Sequence, residues 1–173
     1  MRRVVDEELI QTFFRAFGAE AKSDSRVYFT GGVTAVLYGW RESTVDLDIK
    51  IIPEQDSLLR AIPSLKESLA VNIELASPDD FLPELPGWQD RSKYIAREGQ
   101  ISFFHYDFYS QALSKVERGH AKDLEDVRAM IERKLVLPGR AIELFEAIEP
   151  HLYRFPAIDP KRLRRSVESA FVT

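Results

Sequence analysis

Strands and helices interleave along this chain, which predicts an α/β (α+β) fold: a mixed sheet flanked by helices, with a helical C-terminal part. Three observations carry the prediction. Val45-Asp46-Leu47-Asp48-Ile49-Lys50-Ile51 alternates strictly between apolar and charged residues, the period of a half-buried strand with Val45, Leu47, Ile49 and Ile51 on one face. Arg26-Val27-Tyr28-Phe29-Thr30, then Gly31-Gly32, then Val33 to Tyr38 read as strand, turn and helix in immediate succession. After Phe108 every regular segment reads as a helix.

Taken in order, Asp6 to Glu20 places Leu9, Ile10, Phe13, Phe14 and Phe17 on one helix face, with Gly18 toward its end and Ser23-Asp24-Ser25 linking to the first strand. After Ile52-Pro53, Gln55 to Leu69 reads as a helix interrupted near Pro63. Ala70 to Ala76 is a second core strand, with Val71, Ile73 and Leu75 on one face and Asn72 and Glu74 on the other. Pro78, Pro83, Pro86 and Gly87 predict that Ser77 to Asp90 is irregular. Gln100 to Phe104 is a further strand. Helices over Phe108–Arg118 and Asp123–Leu135 are separated by Gly119, and the last third carries a helix at Ala141–Ile148, a loop through Pro156 and Pro160, and a short basic helix. One domain, 1–173, is expected: an N-terminal helix in 1–24, a core in 25–107 and a mainly helical part in 108–173.

Composition excludes several classes. With 173 residues, 45% hydrophobic and 30% charged, the chain can bury a real core and reads as soluble and globular. The absence of cysteine excludes a disulfide scaffold or a thiolate metal site and fits a cytoplasmic location. No apolar run approaches ~20 residues, and Met1-Arg2-Arg3 leads into Val4-Val5-Asp6-Glu7-Glu8, so no membrane partner is expected. A net charge of −4 argues against a generally basic nucleic-acid binder, so any RNA contact must be a local patch. Lys161-Arg162 and Arg164-Arg165 form a basic cluster that reads as a solvated helix face or as such a contact.

The chemistry concentrates between Thr30 and Lys50. Asp46 and Asp48 share the polar strand face with Lys50, roughly 6.6 Å apart at ~3.3 Å per residue. Two parallel acids at that spacing repel unless a cation lies between them, and a divalent metal is the natural candidate. They also read as ordinary solvent-facing residues, but aspartate is depleted in strands, so two on one short strand need a reason. Gly31-Gly32 at a strand-to-helix turn is a place where phosphate can meet unpaired amides, although the dipeptide also marks plain tight turns. The forked guanidinium of Arg41 suits phosphate as well as a surface ion pair.

Together, Gly31-Gly32, Arg41, Thr44 and Asp46-Leu47-Asp48 resemble the signature of the DNA polymerase beta-type nucleotidyltransferase superfamily, in its small bacterial branch related to the AbiEii-like enzymes of type IV toxin–antitoxin systems. A second stretch, Ala112 to Asp126, resembles the downstream element in which a helical lysine precedes an arginine and a Lys-Asp-x-x-Asp turn. The resemblance covers roughly Tyr28 to Glu132. It implies a nucleotidyltransferase-like sheet and transfer of a nucleoside monophosphate from a nucleoside triphosphate, ATP among them, with Mg2+ (or Mn2+) held by Asp46 and Asp48. Implied nucleotide-binding residues are Gly31, Gly32, Arg41, Thr44, Lys115 and Asp123. Implied catalytic residues are Asp46, Asp48, Lys115 and a third carboxylate, for which Glu74 leads and Asp107 and Asp80 are rivals. RNA, tRNA ends included, or a protein is the implied acceptor, and the setting is a cytoplasmic toxin with a cognate antitoxin.

From the residues alone, Asp123 reads as a helix N-cap, Asp126 as completing a capping box, and Lys115 as the wet edge of its helix. The resemblance instead puts Lys115 near the triphosphate with Asp123 orienting it, and leaves Asp126 structural and His120 idle. The alternative function is a catalytically inactive nucleotide-binding or protein-interaction module of the same fold. An unrelated phosphohydrolase using the same acids is disfavoured because no general-base histidine accompanies them.

Overall fold

The computed structural model describes residues 2–172. Among them are one five-stranded mixed sheet and eight α-helices, the last four following the final strand, so the α/β (α+β) class holds. The chain divides into two compact units, Met1–Ser77 with Ser92–His105, and Pro78–Arg91 with Tyr106–Thr173.

In the first unit, α1 (Glu7–Gly18) starts where the Asp6 carboxylate accepts a hydrogen bond from the Leu9 N–H at 2.9 Å, with Glu7 and Glu8 favourably placed against the helix dipole. Leu9, Ile10, Phe13, Phe14 and Phe17 are all buried, as their spacing requires, and Phe14 packs on Phe103 of the sheet with ring centroids 4.5 Å apart. The sheet order is β3 (Asn72–Leu75), β2 (Asp46–Ile52), β1 (Ser25–Thr30), β5 (Ile101–His105), β4 (Lys93–Glu98). β1 runs antiparallel to β2 and parallel to β5, while β2 and β3 are parallel. A helical crossover, α3 (Asp56–Leu69), joins the last pair, and α2 (Gly32–Tyr38) follows β1. Gly18 is required by packing, because a Cβ there would lie 2.5 Å from the Glu98 carbonyl oxygen of the β4–β5 hairpin.

Four expectations need correction here. α3 runs without interruption through Pro63. A mid-helix proline costs ~3 kcal/mol, but Leu58, Ala61, Ile62 and Leu65 are buried on either side of it, and burial at ~1.5–3 kcal/mol per large aliphatic side chain outweighs that loss. Val45 is 68% exposed, because β2 begins one residue later, after a bend that follows the Val5–Thr44 backbone bridge. Leu75 is likewise exposed, at the end of its strand. The edge strand β4, Lys-Tyr-Ile-Ala-Arg-Glu, was not expected, since its charges hide any period-2 pattern.

The second unit is helical: α4 (Trp88–Arg91), α5 (Phe108–Arg118), α6 (Ala121–Glu132), α7 (Pro138–Ile148) and α8 (Pro160–Phe171). The stretch expected to be irregular contains a 3-10 turn at Pro78–Asp80 and the start of α4. Asp107 and Asp159 cap α5 and α8 through their carboxylates. α5 packs against α6, α7 and α8. Its core comprises Ala112, Leu113 and Val116 with Val127, Met130, Phe145, Leu163 and Val167. The expected short basic helix is α8, 12 residues long and anchored by Leu163, Val167 and Phe171.

Candidate active site

The strand register places the acids. β2 and β3 run parallel with Asp46 opposite Asn72 and Asp48 opposite Glu74, so the residues on the polar face of each strand meet side by side. Asp46, Asp48 and Glu74 each offer one carboxylate oxygen, and these oxygens lie within 4.8 Å of one another. No other acid or histidine cluster of this kind occurs among the described residues. Asn72 holds two of the three: its Nδ2 donates to Asp46 Oδ1 at 2.8 Å and to Glu74 Oε1 at 2.7 Å. Asn72 shares the Glu74 face of its strand, as the alternation requires, and what marks its part in the cluster is its register opposite Asp46.

Hard carboxylate oxygens from two strands, pre-gathered by a neutral amide, fit a magnesium- or manganese-type ion and do not fit a soft metal. The antiparallel partner of Asp48 is Thr30, the last residue of β1, so the Gly31-Gly32 turn begins beside the acids. Gly31 has φ 67° and ψ −128°, a conformation that only glycine adopts readily, and a Cβ there would stand 3.5 Å from Asp48 Oδ2. Gly32 is glycine for a different reason: a Cβ would overlap the Thr44 hydroxyl and lie 2.5 Å from Thr44 Cβ. Thr44 itself is pinned by two backbone bonds to Val5, at 2.7 and 2.9 Å, and so fixes the entry into β2. Arg41 lies half-buried in the same loop, its N–H bonded to the Ala35 carbonyl at 3.3 Å.

The remaining expected residues belong to the second unit. Lys115 is not the wet edge of its helix: it is 4% exposed, and its Nζ lies 2.8 Å from Asp126 Oδ2 and 3.9 Å from Asp123 Oδ1. Asp123 is not an N-cap, since α6 starts at Ala121 with His120 before it; its carboxylate instead receives Arg118 at 2.6 Å. Asp126 is the closer partner of Lys115. Asp107, a rival third acid, has its carboxylate engaged by Arg91 at 3.1 and 2.8 Å and by the N-terminal N–H groups of α5. Asp80 lies in the 3-10 turn, outside the acid cluster.

His105 went unnoticed in the sequence. It is buried at the end of β5, shares a 2.9 Å hydrogen bond with Thr34 of α2 and touches the Tyr38 ring. Burial, aided by the nearby Lys93 charge, pushes its pKa down to about 4, so it is neutral at physiological pH. Sequence gave no signal for it, because its partner lies 71 residues away.

Carboxylates gathered on adjacent strands of a mixed sheet, beside a glycine turn into a helix, have the chemistry to hold a divalent ion next to a phosphate. Residues 10–136 match the family model described as a nucleotidyltransferase of unknown function (DUF6036), and the chain belongs to that family. No curated protein and no solved structure matches it. Nucleotidyltransferases as a class use a nucleoside triphosphate and a divalent metal. No helix is long and apolar enough to cross a membrane among the described residues.

Proposed function

We propose that this protein transfers a nucleoside monophosphate from a nucleoside triphosphate to a hydroxyl of RNA, tRNA ends included, or of a protein. The observation that carries the reading is the convergence of Asp46, Asp48 and Glu74 within 4.8 Å beside Gly31. Bound Mg2+ or Mn2+ would be held by these three carboxylates and would polarise the phosphate and offset its charge. The protein's own groups position the reactants. Asn72 keeps Asp46 and Glu74 turned toward each other, Gly31 lets the backbone approach a phosphate, and Gly32 makes room for Thr44. Arg41 faces the triphosphate. In this reading Glu74, the exposed member of the cluster, takes the proton of the acceptor hydroxyl, whose oxygen bonds to the α-phosphorus as the bond from that phosphorus to pyrophosphate breaks. Lys115 and Asp123 act on the triphosphate in this reading, a role that rests on the resemblance of the Ala112–Asp126 stretch. Membership of the AbiEii-like toxin branch, with a cognate antitoxin and a cytoplasmic site of action, is part of the same proposal.

A second reading is a module that binds nucleotide or protein without turnover. It is favoured by one observation, the buried Lys115–Asp126 pair, which commits the lysine to a structural partner. Each α-labelled triphosphate, offered with magnesium and total RNA or cell extract, separates the two. Label transferred by the unaltered chain and lost in Asp46→Ala and Asp48→Ala supports the transferase. Nucleotide binding without transfer supports the module, and magnesium-dependent binding that survives in both variants removes the site.

A further inference from the structure

We infer that a groove in the helical unit, between the C-terminal end of α5, α6 and α8, is a binding site for the phosphodiester backbone of single-stranded RNA. The inference rests on the transferase reading only in taking RNA as the acceptor. The groove has a volume of about 960 Å³, at the upper end of what a small-molecule site requires. Arg118, Arg128, Arg162 and Arg165 line it against two carboxylates, Glu117 and Asp159, whereas the chain as a whole carries −4.

Solvated arginines are common, and the exposed Arg15 and Arg60 side chains also lack an ion pair among the described residues, so convergence on one surface is what decides. Arg91, Arg97, Arg140 and Arg164 each meet a carboxylate at 2.7–3.0 Å, and Arg118 meets Asp123 at 2.6 Å. The Arg128, Arg162 and Arg165 guanidiniums make no ion pair or hydrogen bond among the described residues, although the chain has 28 acids for 24 lysines and arginines. All three are exposed, and they reach one concave surface from two helices. Arg162 and Arg165 stand three residues apart on α8, with Ser166 and Ser169 adding hydroxyl donors along the same wall. Arg128, Arg162 and Arg165 outnumber the two carboxylates of the groove, Glu117 and Asp159, so its lining stays positive, and planar guanidinium forks match phosphate oxygens. No aromatic side chain lines the groove and its apolar residues Val127, Ile158 and Leu163 are buried, so a strand there is gripped through its phosphates, with the exposed guanidiniums as the surfaces on which unpaired bases can stack.

The test is fluorescence anisotropy of a labelled 12-nucleotide oligouridylate from 20 to 300 mM salt, with the full chain and its Arg128→Ala/Arg162→Ala/Arg165→Ala variant. At about 0.7 counterions released per single-strand phosphate contact, three lost contacts make the log K–log salt slope shallower by about 2 and weaken binding roughly a hundredfold at 0.1 M salt. Arg140→Ala, an arginine of the same unit outside the groove, leaves both unchanged, and Arg128→Lys/Arg162→Lys/Arg165→Lys restores the slope but only part of the affinity. No RNA binding at 20 mM salt, or a slope the triple variant does not alter, overturns the inference. So does a polyglutamate peptide that displaces the RNA at equal charge concentration, because the groove then takes acidic protein. Magnesium-dependent nucleotide binding by the same preparations separates this failure from failure of the transferase reading: nucleotide bound without RNA removes the groove and leaves the acid site standing.

Discussion

Replacing Lys115 by methionine removes the ammonium while keeping most of the aliphatic stem, and the structure sets the size of the response. Lys115 is 4% exposed and Asp126 1%, with 2.8 Å between Nζ and Oδ2. Losing the cation leaves a buried carboxylate without its lysine, which costs about 3–5 kcal/mol. Asp123 adds little to that figure, because it lies 3.9 Å from Lys115 and keeps Arg118 at 2.6 Å. Against a total stability of about 5–15 kcal/mol for a protein of ordinary size, the loss is severe, and at 2–4 °C per kcal/mol it lowers Tm by roughly 10 °C. Lys115→Met/Asp126→Leu removes both charges and recovers most of it, since a well-packed apolar pair replaces a buried ion pair at little cost. Urea denaturation followed by circular dichroism measures both variants. A loss under about 1 kcal/mol for Lys115→Met, or a double variant as unstable as the two single ones summed, refutes the argument that this pair anchors the helical unit. Nucleotide binding by the double variant then decides whether the lysine also serves the triphosphate.

Other perturbations probe the first unit. Gly32→Ala drives a Cβ into Thr44 and costs about 1–3 kcal/mol in denaturant melts, and Gly32→Ala/Thr44→Gly regains part of it. Asn72→Ala releases Asp46 and Glu74; Mn2+ affinity by calorimetry falls about tenfold, as for a lost metal-orienting partner, while stability changes little. His105, at about 4 when folded against an ordinary 6.5, is fully stabilising above pH 6.5, and the unfolded chain gains a proton first as pH falls. Stability therefore drops by at most about 3 kcal/mol between pH 6.5 and 4, and His105→Gln flattens that part of the pH profile. A profile unchanged by the substitution assigns the acid sensitivity elsewhere.

What the sequence revealed depended on how local the cause was. The faces of β2 were legible because a period of two needs no partner, and Leu47, Ile49 and Ile51 are buried while Asp46 and Asp48 share the other side. Val45 broke that pattern because a long-range bridge between Val5 and Thr44 sets where the strand begins. Glu74 could be ranked first among the acids, yet its position beside Asp48 depends on β3 joining β2 in parallel and in one register, which no local motif encodes. The capping reading of Asp123 failed for a similar reason: α6 starts two residues earlier, and the side chain serves Arg118 instead of the helix end. Long-range hydrogen bonds, Asn72 to Asp46 and His105 to Thr34, were not legible at all.

Asp46, Asp48 and Glu74 form one acid face across β2 and β3. Carboxylates gathered this closely repel one another when ionised, although solvent at the exposed Glu74 screens part of that repulsion. Splaying the side chains would relieve most of that, and surface acids with no function are free to do so. Here the opposite arrangement is built in: the register sets Asp48 beside Glu74, and Asn72 draws Asp46 and Glu74 together from the side. An amide can hold carboxylates close but brings no charge, and Lys50 adds a single positive charge to a face with three negative ones. In the proposed reading, a cluster held together in this way favours a small, doubly charged ion. Asn72 therefore distinguishes a metal site from a chance gathering of acids: if Asn72→Ala raised stability while leaving Mn2+ affinity intact, the clustering would be strain without purpose.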